Sequence, residues 1–378
     1  MYKRQVLELD KLVFVPAGDP PHKEFSPDTP TAAHRLAMTE LLADQLRQPE
    51  RTEVWDVELS RPGKSYTADT LRAAAERWPG AELWLLVGTD MFLTLQNWYR
   101  PEEIMALAGI CAFGRTEADS EGVFAPQRDY LAQTYNARVV TLSIPDLVDV
   151  SSTRLRQELA GGRGGEYLPR PVYGYILREK LYGTFSDLTR LNDEQLRCVS
   201  YSMVKAKRIP HIMGTEAEAV RLALRWGADA DKMRRAAILH DCTKYLTLSE
   251  HLALCDRYGV ELDGMERSAE KLLHSKTGAI LAKHLFGEDD EVTLSIFHHT
   301  TARGNMTLGE KILYMADYIE PCRSFDGVEQ MRALAYTDLD AAVGMGAWMA
   351  MEEMKEKGRV VHPNTQAAFD QYWKGTLS

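Results

Sequence analysis

Two rhythms of apolar positions divide the chain. Through residues 11–183, short β-type apolar runs alternate with helical ones. From Leu191 onward a 3.6-residue rhythm takes over, and hardly any strand-type segment follows. In the first part, residues 11–17 (KLVFVPA) read as a strand ended by Pro16 and the turn-rich Gly18-Asp19-Pro20-Pro21. Residues 32–46 place Leu36, Met38, Leu41, Leu42 and Leu46 at helical spacing, and residues 54–59 (VWDVEL) alternate as a strand. A helix follows over 67–78, with Thr67 or Ser65 as its cap. Residues 83–87 (LWLLV) form an unbroken apolar run suited to the buried centre of a parallel sheet, and Gly88-Thr89-Asp90 opens another helix. Further strands are expected at 109–113 and 137–144. This alternation predicts a doubly wound α/β domain, in which ligands sit at the carboxyl ends of the strands. Residues 173–181 read as a closing helix stopped by Gly183. The expected organisation is therefore an α/β domain over 1–183, a linker over 184–190 and an all-α domain over 191–375.

Composition changes this picture little. A chain of 378 residues with 45% hydrophobic and 26% charged positions is long enough for two globular domains, each with its own core. No apolar stretch is long and uncharged enough to span a bilayer, and no basic-then-apolar signal opens the chain, so a cytoplasmic protein without a membrane partner is expected. The five cysteines are scattered and contain no Cys-x-x-Cys pair, against both a disulfide framework and a structural zinc site. A formal charge of -10 disfavours nucleic acid as a partner. Small phosphorylated substrates stay open, because a bound metal and a few local cations can invert the field inside one cleft.

In the first half, Val150-Ser151-Ser152-Thr153-Arg154-Leu155-Arg156 places hydroxyls before a helix carrying arginine. Such a helix start can hold a phosphate or can simply be capped. Trp98, in Gln96-Asn97-Trp98-Tyr99, can be a core side chain or a platform for a ligand. The strings PAGDPPHK (16–23), SYTADTL (65–71), VGTDMF (87–92), NWYRPEEI (97–104) and VSSTRLR (150–156), in this order, closely resemble bacterial nicotinate-nucleotide adenylyltransferases over about 9–183. The resemblance implies a Rossmann-like nucleotidylyltransferase of NAD biosynthesis acting on ATP, with Mg2+, and nicotinate mononucleotide. It implies that Trp98 lies against the pyridine ring, that Gly88 and Asp90 line the nucleotide site, and that Ser151, Ser152, Thr153 and Arg156 hold ATP phosphates. The family's central first strand and its His-x-Gly-His loop have no match before Lys11. Moreover, Met1 to Gln5 (MYKRQ) back-translates into a transposon-end sequencing adapter. An incomplete gene fragment without adenylyltransferase activity is the expectation that follows.

In the second half, ligand-type side chains emerge from apolar helices. His240-Asp241 closes the run Ala236-Ala237-Ile238-Leu239, His211 precedes Ile212-Met213, His274 follows Leu272-Leu273, and His298-His299 end residues 292–297. Asp317 lies inside ILYMADYI, where an unpaired carboxylate would be costly. An imidazole and a carboxylate side by side can coordinate one divalent cation. The order His, His-Asp, His, His, Asp is the pattern of the HD phosphohydrolase superfamily. The strings HIMGTEA, AAILHDCTK, LLHSKTGA and HHTTARGNMTLGEKILYMADYIEP, with Arg323, resemble more closely the HD-domain symmetrical dinucleoside tetraphosphatases, over 191 to about 373.

This second resemblance implies cleavage of diadenosine tetraphosphate into two ADP at a binuclear, iron-type centre, with manganese, zinc or cobalt compatible with the same ligands. It makes His211, His240, Asp241 and Asp317 the shell of one metal. His274 and His299 serve the second, with Asp241 as bridge and His298 as the alternative to His299. Lys244, one turn beyond His240, is expected on the same helix face as a catalytic contact to the polyphosphate or else as a solvated lysine. Thr300, Arg303 and Arg323 are further phosphate candidates, and His251 and His284 are expected at the surface. A fusion of the two enzymes is thus expected, compatible with a homo-oligomer. An HD hydrolase of another nucleotide, or a non-catalytic metal-stabilised regulatory module, are the alternatives.

Overall fold

The computed structural model describes residues 7–375, apart from 22–25, 27, 47, 115–120 and 143–149. His22 and Lys23 of the PAGDPPHK string, and the end of the strand expected over 137–144, lie outside the described residues. The chain forms two compact units. One is built from the chain up to Pro169 plus Leu181–Thr184, the other from Arg170–Lys180 plus the chain from Phe185 onward.

The first unit is Rossmann-like, with every strand pairing parallel. β1 (Leu12–Phe14) and β2 (Thr52–Val54) pair with Leu12 opposite Thr52, flanked by α1 (Ala32–Asp44) and α2 (Thr67–Arg77). β3 (Leu83–Gly88) runs into the short α3 (Thr89–Phe92), and α4 (Pro101–Leu107) leads to β4 (Ala108–Phe113). α5 (Glu121–Tyr135) joins β4 to β5 (Val139–Leu142), and α6 (Ser152–Ala160) follows. In the larger sheet Leu85 lies opposite Ile110, and Ile110 opposite Val139. The central β4 (AGICAF) carries no charge because both its faces are covered, and Ile110 and Ala112 are fully buried with Phe92, Leu95, Ile104 and Leu131. Among the described residues no strand joins the β1–β2 pair to the β3–β4–β5 sheet.

Several local expectations differ. The strand expected over 54–59 ends at Val54, and the chain turns where the Leu59 amide donates to the Asp56 carbonyl at 2.9 Å. Glu58 is drawn inward as an acceptor for the Gly18 amide (3.1 Å) and the Thr70 hydroxyl (2.8 Å), and Trp55 packs edge-on to Trp78. Neither Thr67 nor Ser65 caps α2. Its N-cap is Tyr66 without a side-chain bond, and the Ser65 hydroxyl donates to the Glu58 carbonyl at 3.4 Å. α5 is legible only in the fold, since Pro126 inside it interrupts the helical signal.

The second unit is all helical. α7 (Arg170–Glu179), which the sequence assigns to the close of the first domain, packs on α8 (Asp193–Tyr201) and buries Leu177 in the second core. Gly174 permits this approach, since a Cβ there would stand 1.8 Å from the Cys198 carbonyl oxygen. α9 (Ile209–Trp226), α10 (Ala230–Leu239), α11 (Leu248–Arg257) and α12 (Glu270–His284) come next. α13 (Asp290–His298), α14 (Leu308–Ile319), α15 (Val328–Thr337), α16 (Leu339–Glu356) and α17 (Pro363–Tyr372) complete the unit. Starts are fixed chemically. Asp229 accepts from the amides of Asp231 and Lys232 before α10, and Thr307 with Glu310 forms a capping box before α14. Met233, Ile238, Leu239, Ile296 and Leu313 lie in one core cluster. No described helix is long and apolar enough to cross a membrane.

Candidate metal centre

The core itself drives the site residues together. Ala236 to Leu239 are fully buried on α10, and the helix ends at Leu239, so His240 and Asp241 are delivered into the interior, fully buried, at its C-terminal end. His211 sits in the first turn of α9, just after Pro210. His274 lies inside α12 rather than ahead of it, His299 caps α13, and Asp317 stands on the last turn of α14. All six expected metal ligands converge. The donor atoms of His211, His240 and Asp241 lie within 4.8 Å of one another, as do those of His240, His299 and Asp317, and those of Asp241, His274 and His299.

The hydrogen bonds assign the imidazole tautomers. The Nδ1 atoms of His240, His274 and His299 each donate to a carbonyl, of Ala237, Lys271 and Ile296, at 2.7 Å. His211 Nδ1 faces the Glu320 carboxylate at 3.0 Å. With the proton held on Nδ1, each Nε2 presents a lone pair to the centre. There the Nε2 atoms of His211 and His240 stand 3.2 Å apart, those of His274 and His299 stand 3.1 Å apart, and Asp317 Oδ1 lies 3.0 Å from His211 Nε2. Acceptor faces acceptor in all three pairs with no hydrogen to share. Divalent cations remove that repulsion, so the donor set fits them. Asp241 lies between the two histidine pairs, with Oδ2 3.4 Å from His240 Nε2 and Oδ1 3.3 Å from His274 Nε2.

Protonation suits the same role. Burial by itself would push the Asp241 carboxyl up, but the cationic surroundings, with the Lys244 ammonium 3.3 Å from its Oδ1, hold it well below the usual carboxylate range. Asp317 is likewise held well below it, against burial, with the Arg323 guanidinium donating to its Oδ1. Burial pushes His274 down and His299 well down from the ordinary imidazole value. Carboxylates and neutral imidazoles are the forms that bind metal.

Of the remaining expected contacts, Lys244 and Thr300 reach the histidines of the cluster. Lys244 is not on the α10 face, because the helix stops at Leu239. A turn closed by the Lys244 amide on the Asp241 carbonyl (2.9 Å) carries its ammonium to 3.0 Å from His274 Nε2 and 3.3 Å from Asp241 Oδ1. The Thr300 hydroxyl lies 3.3 Å from His274 Nε2. Arg323 instead braces Asp317, donating to its carbonyl at 2.8 Å and its Oδ1 at 2.6 Å. Arg303 is occupied elsewhere, in a two-point pair with the buried Glu310 at 2.7 and 3.0 Å. His298 lies 2.6 Å from the same Glu310, so His299 is the histidine that enters the centre. His251, expected at the surface, is fully buried with Nδ1 2.8 Å from the Thr277 hydroxyl, whereas His284 is exposed and stacks on Tyr258.

Sequence reasoning missed Glu320, which orients His211, and Arg208, whose Nε donates to Asp241 Oδ2. The signal for Glu320 was a second carboxylate three residues beyond Asp317 at the end of an apolar helix. A separate group, Asp263, Glu266 and His362, is self-contained. His362 Nδ1 accepts from the Asn364 amide at 3.1 Å, so its protonated Nε2 donates to Glu266 Oε1 at 3.2 Å, where Lys276 also pairs at 2.8 Å.

In the first unit, Gly88 ends β3 and precedes α3, which carries the exposed Asp90, and the half-buried Trp98 packs against the core. Ser151 caps α6 by accepting from the Arg154 amide at 3.2 Å. Ser151, Ser152 and Thr153 are exposed, and Arg156 lies over the Tyr182 ring.

Residues 208–322 match the family model of the HD domain, and residues 3–158 match the cytidylyltransferase-like model. The chain is 36% identical over 174 residues to the symmetrical bis(5'-nucleosyl)-tetraphosphatase of Bacillus subtilis, covering 46% of this chain and 92% of that protein. It is 34% identical over 184 residues to a probable nicotinate-nucleotide adenylyltransferase of Thermomicrobium roseum, covering 48% of this chain and 81% of that one. The crystal structure of a predicted HD superfamily hydrolase involved in NAD metabolism, from Clostridium acetobutylicum, is 37% identical, covering 48% of this chain and 96% of that one with a TM-score of 0.47.

Proposed function

From a chain that belongs, through its second half, to the symmetrical bis(5'-nucleosyl)-tetraphosphatase family and, through its first half, to the nicotinate-nucleotide adenylyltransferases, we propose the following activity. The helical unit hydrolyses diadenosine tetraphosphate to two ADP at a binuclear centre, with iron as the expected metal. The observation that supports this reading is the pair of facing imidazole couples on either side of Asp241, at 3.2 and 3.1 Å. His211, His240, Asp241 and Asp317 would hold one cation, and His274 and His299 the other, with Asp241 as bridge. When bound, the two cations would supply Lewis acidity toward a phosphoryl oxygen and toward the attacking water.

The chain's own residues do the rest. The Nδ1 hydrogen bonds fix the four imidazoles so that donor strength is aimed inward without rotamer loss. Lys244 offers its ammonium to the polyphosphate from the rim of the centre, and the Thr300 hydroxyl offers a neutral donor beside it. A four-phosphate chain carries several negative charges, and these groups together with the cations reverse the sign of a chain whose formal charge is -10. Water adds to one central phosphorus and gives up a proton to solvent, and the bond from that phosphorus to the oxygen it shares with the other central phosphorus breaks, its electron pair leaving on the departing ADP.

For the first unit we propose nucleotide binding at Gly88, Asp90, Trp98, Ser151, Ser152, Thr153 and Arg156, with Mg2+ accompanying ATP. Calorimetric titration with ATP or nicotinate mononucleotide, and its loss in Trp98→Ala, tests this part. The hydrolase reading is tested with anaerobically purified protein, metal analysis, and a panel of nucleotides assayed with iron or manganese. ADP as sole product from diadenosine tetraphosphate is expected. AMP plus ATP would refute symmetrical cleavage, and turnover only of another nucleotide would replace the substrate.

A further inference from the structure

The four imidazoles are not held alike, and the difference falls between the two proposed cation positions. His240, His274 and His299 donate through Nδ1 to neutral carbonyls. His211 alone meets a carboxylate, Glu320 Oε1 at 3.0 Å, and that carboxylate is 1% exposed. Its other oxygen, Oε2, accepts from the Cys322 amide at 2.6 Å, so the group is pinned at both ends. Space for it is kept by Gly214, one turn-face from His211 on α9, where a Cβ would stand 2.4 Å from Glu320 Oε2 and 3.2 Å from Pro321 Cδ. A carboxylate behind an imidazole strengthens it as a ligand and locks its ring. The position served by His211 is also lined by Asp241 and Asp317. Opposite, the position served by His274 and His299 shares Asp241 with a lysine, whose ammonium stands 3.0 Å from His274 Nε2. At the His211 end Arg208 and Arg323 pair with Asp241 and Asp317, so it is the Glu320 carboxylate that strengthens this position, whereas at the other end the Lys244 ammonium stands directly against a ligand nitrogen and competes with a cation.

We propose that Glu320 is a positioning residue acting through His211, and that it makes the two cation positions unequal: the position at His211 binds first and holds its ion more tightly, and the position at His274 and His299 exchanges. This rests on the binuclear reading above. The test is equilibrium dialysis of the whole protein against manganese, with bound metal counted per chain, on the parent, Glu320→Gln and Gly214→Ala. The parent is expected to show two steps of binding. Glu320→Gln keeps a hydrogen-bond acceptor for Nδ1 but removes the charge, and should weaken the tighter step by about 10- to 100-fold while leaving the weaker one in place. Gly214→Ala keeps the charge but displaces the carboxylate, and should weaken the same step. Far-ultraviolet circular dichroism confirms that each variant is folded. Two unchanged steps in folded Glu320→Gln, or an equal loss of both, would overturn the inference. A parent that binds no second ion would instead overturn the binuclear reading.

Discussion

Glu310 offers a stability test whose size follows from its surroundings. Its side chain is fully buried between Arg303, which grips it at 2.7 and 3.0 Å, and His298 at 2.6 Å, and it completes the α14 capping box by accepting from the Thr307 amide at 2.7 Å. Burial would raise this carboxyl, but His298, Arg303 and Thr307 outweigh it and hold it down at about 2, against an ordinary 4.5. At ~1.4 kcal/mol per pH unit, a depression of that size corresponds to roughly 3 kcal/mol of folding stability. The folded value lies below the unfolded one. The contribution is therefore complete above pH 4.5 and is lost as pH falls toward 2. Glu310→Gln preserves shape and the capping acceptor but leaves Arg303 without its counter-charge. In urea unfolding followed by circular dichroism, with chelator present throughout, the variant should be less stable than the parent by roughly 3 kcal/mol at pH 7. The gap should close between pH 4.5 and 2. An equal stability at pH 7, or a gap that persists unchanged at pH 2, would refute the reasoning.

Lys244→Ala removes a charged hydrogen-bond donor at the rim of the centre, so KM for diadenosine tetraphosphate should rise about 10- to 100-fold while the centre still binds metal. An unaltered KM would refute its contact with the polyphosphate. His251 is pushed down to about 4 by burial, so the folded state stays neutral where the unfolded chain takes up a proton, and stability is lost as pH falls from 6.5 to 4. His251→Gln should flatten the pH dependence of stability in that window by about 1.4 kcal/mol per pH unit, and an unchanged slope would argue against a buried neutral histidine. Gly174→Ala drives a methyl group into the Cys198 carbonyl, where no flexible side chain can yield. It should cost about 1–3 kcal/mol or more in urea unfolding, and parent-like stability would mean that α7 does not pack on α8 as described.

The sequence by itself determined the two-part architecture and the entry of ligand-type side chains into the helical core, while the expectation that six of them share one centre came from the order they have in common with the HD superfamily. Period-2 and period-3.6 apolar patterns are local, and a histidine or aspartate at the end of an apolar run such as Ala236 to Leu239 has to enter the core with it. What it could not determine was which polar groups meet across helices. Arg303 and Lys244 look alike as candidate phosphate contacts along the chain, but Glu310 claims Arg303, while a turn after Leu239 carries Lys244 to the centre without any continued helix. His251 reads as a surface residue until α12 brings Thr277 to its ring. Glu320 and His211 are 109 positions apart, and only the packing of α14 against α9, with Gly214 leaving room, makes them partners. Hydrophobic pattern is a property of one segment and survives in the string. The pairing of buried charges belongs to two or more segments at once, and only the tertiary structure decides it.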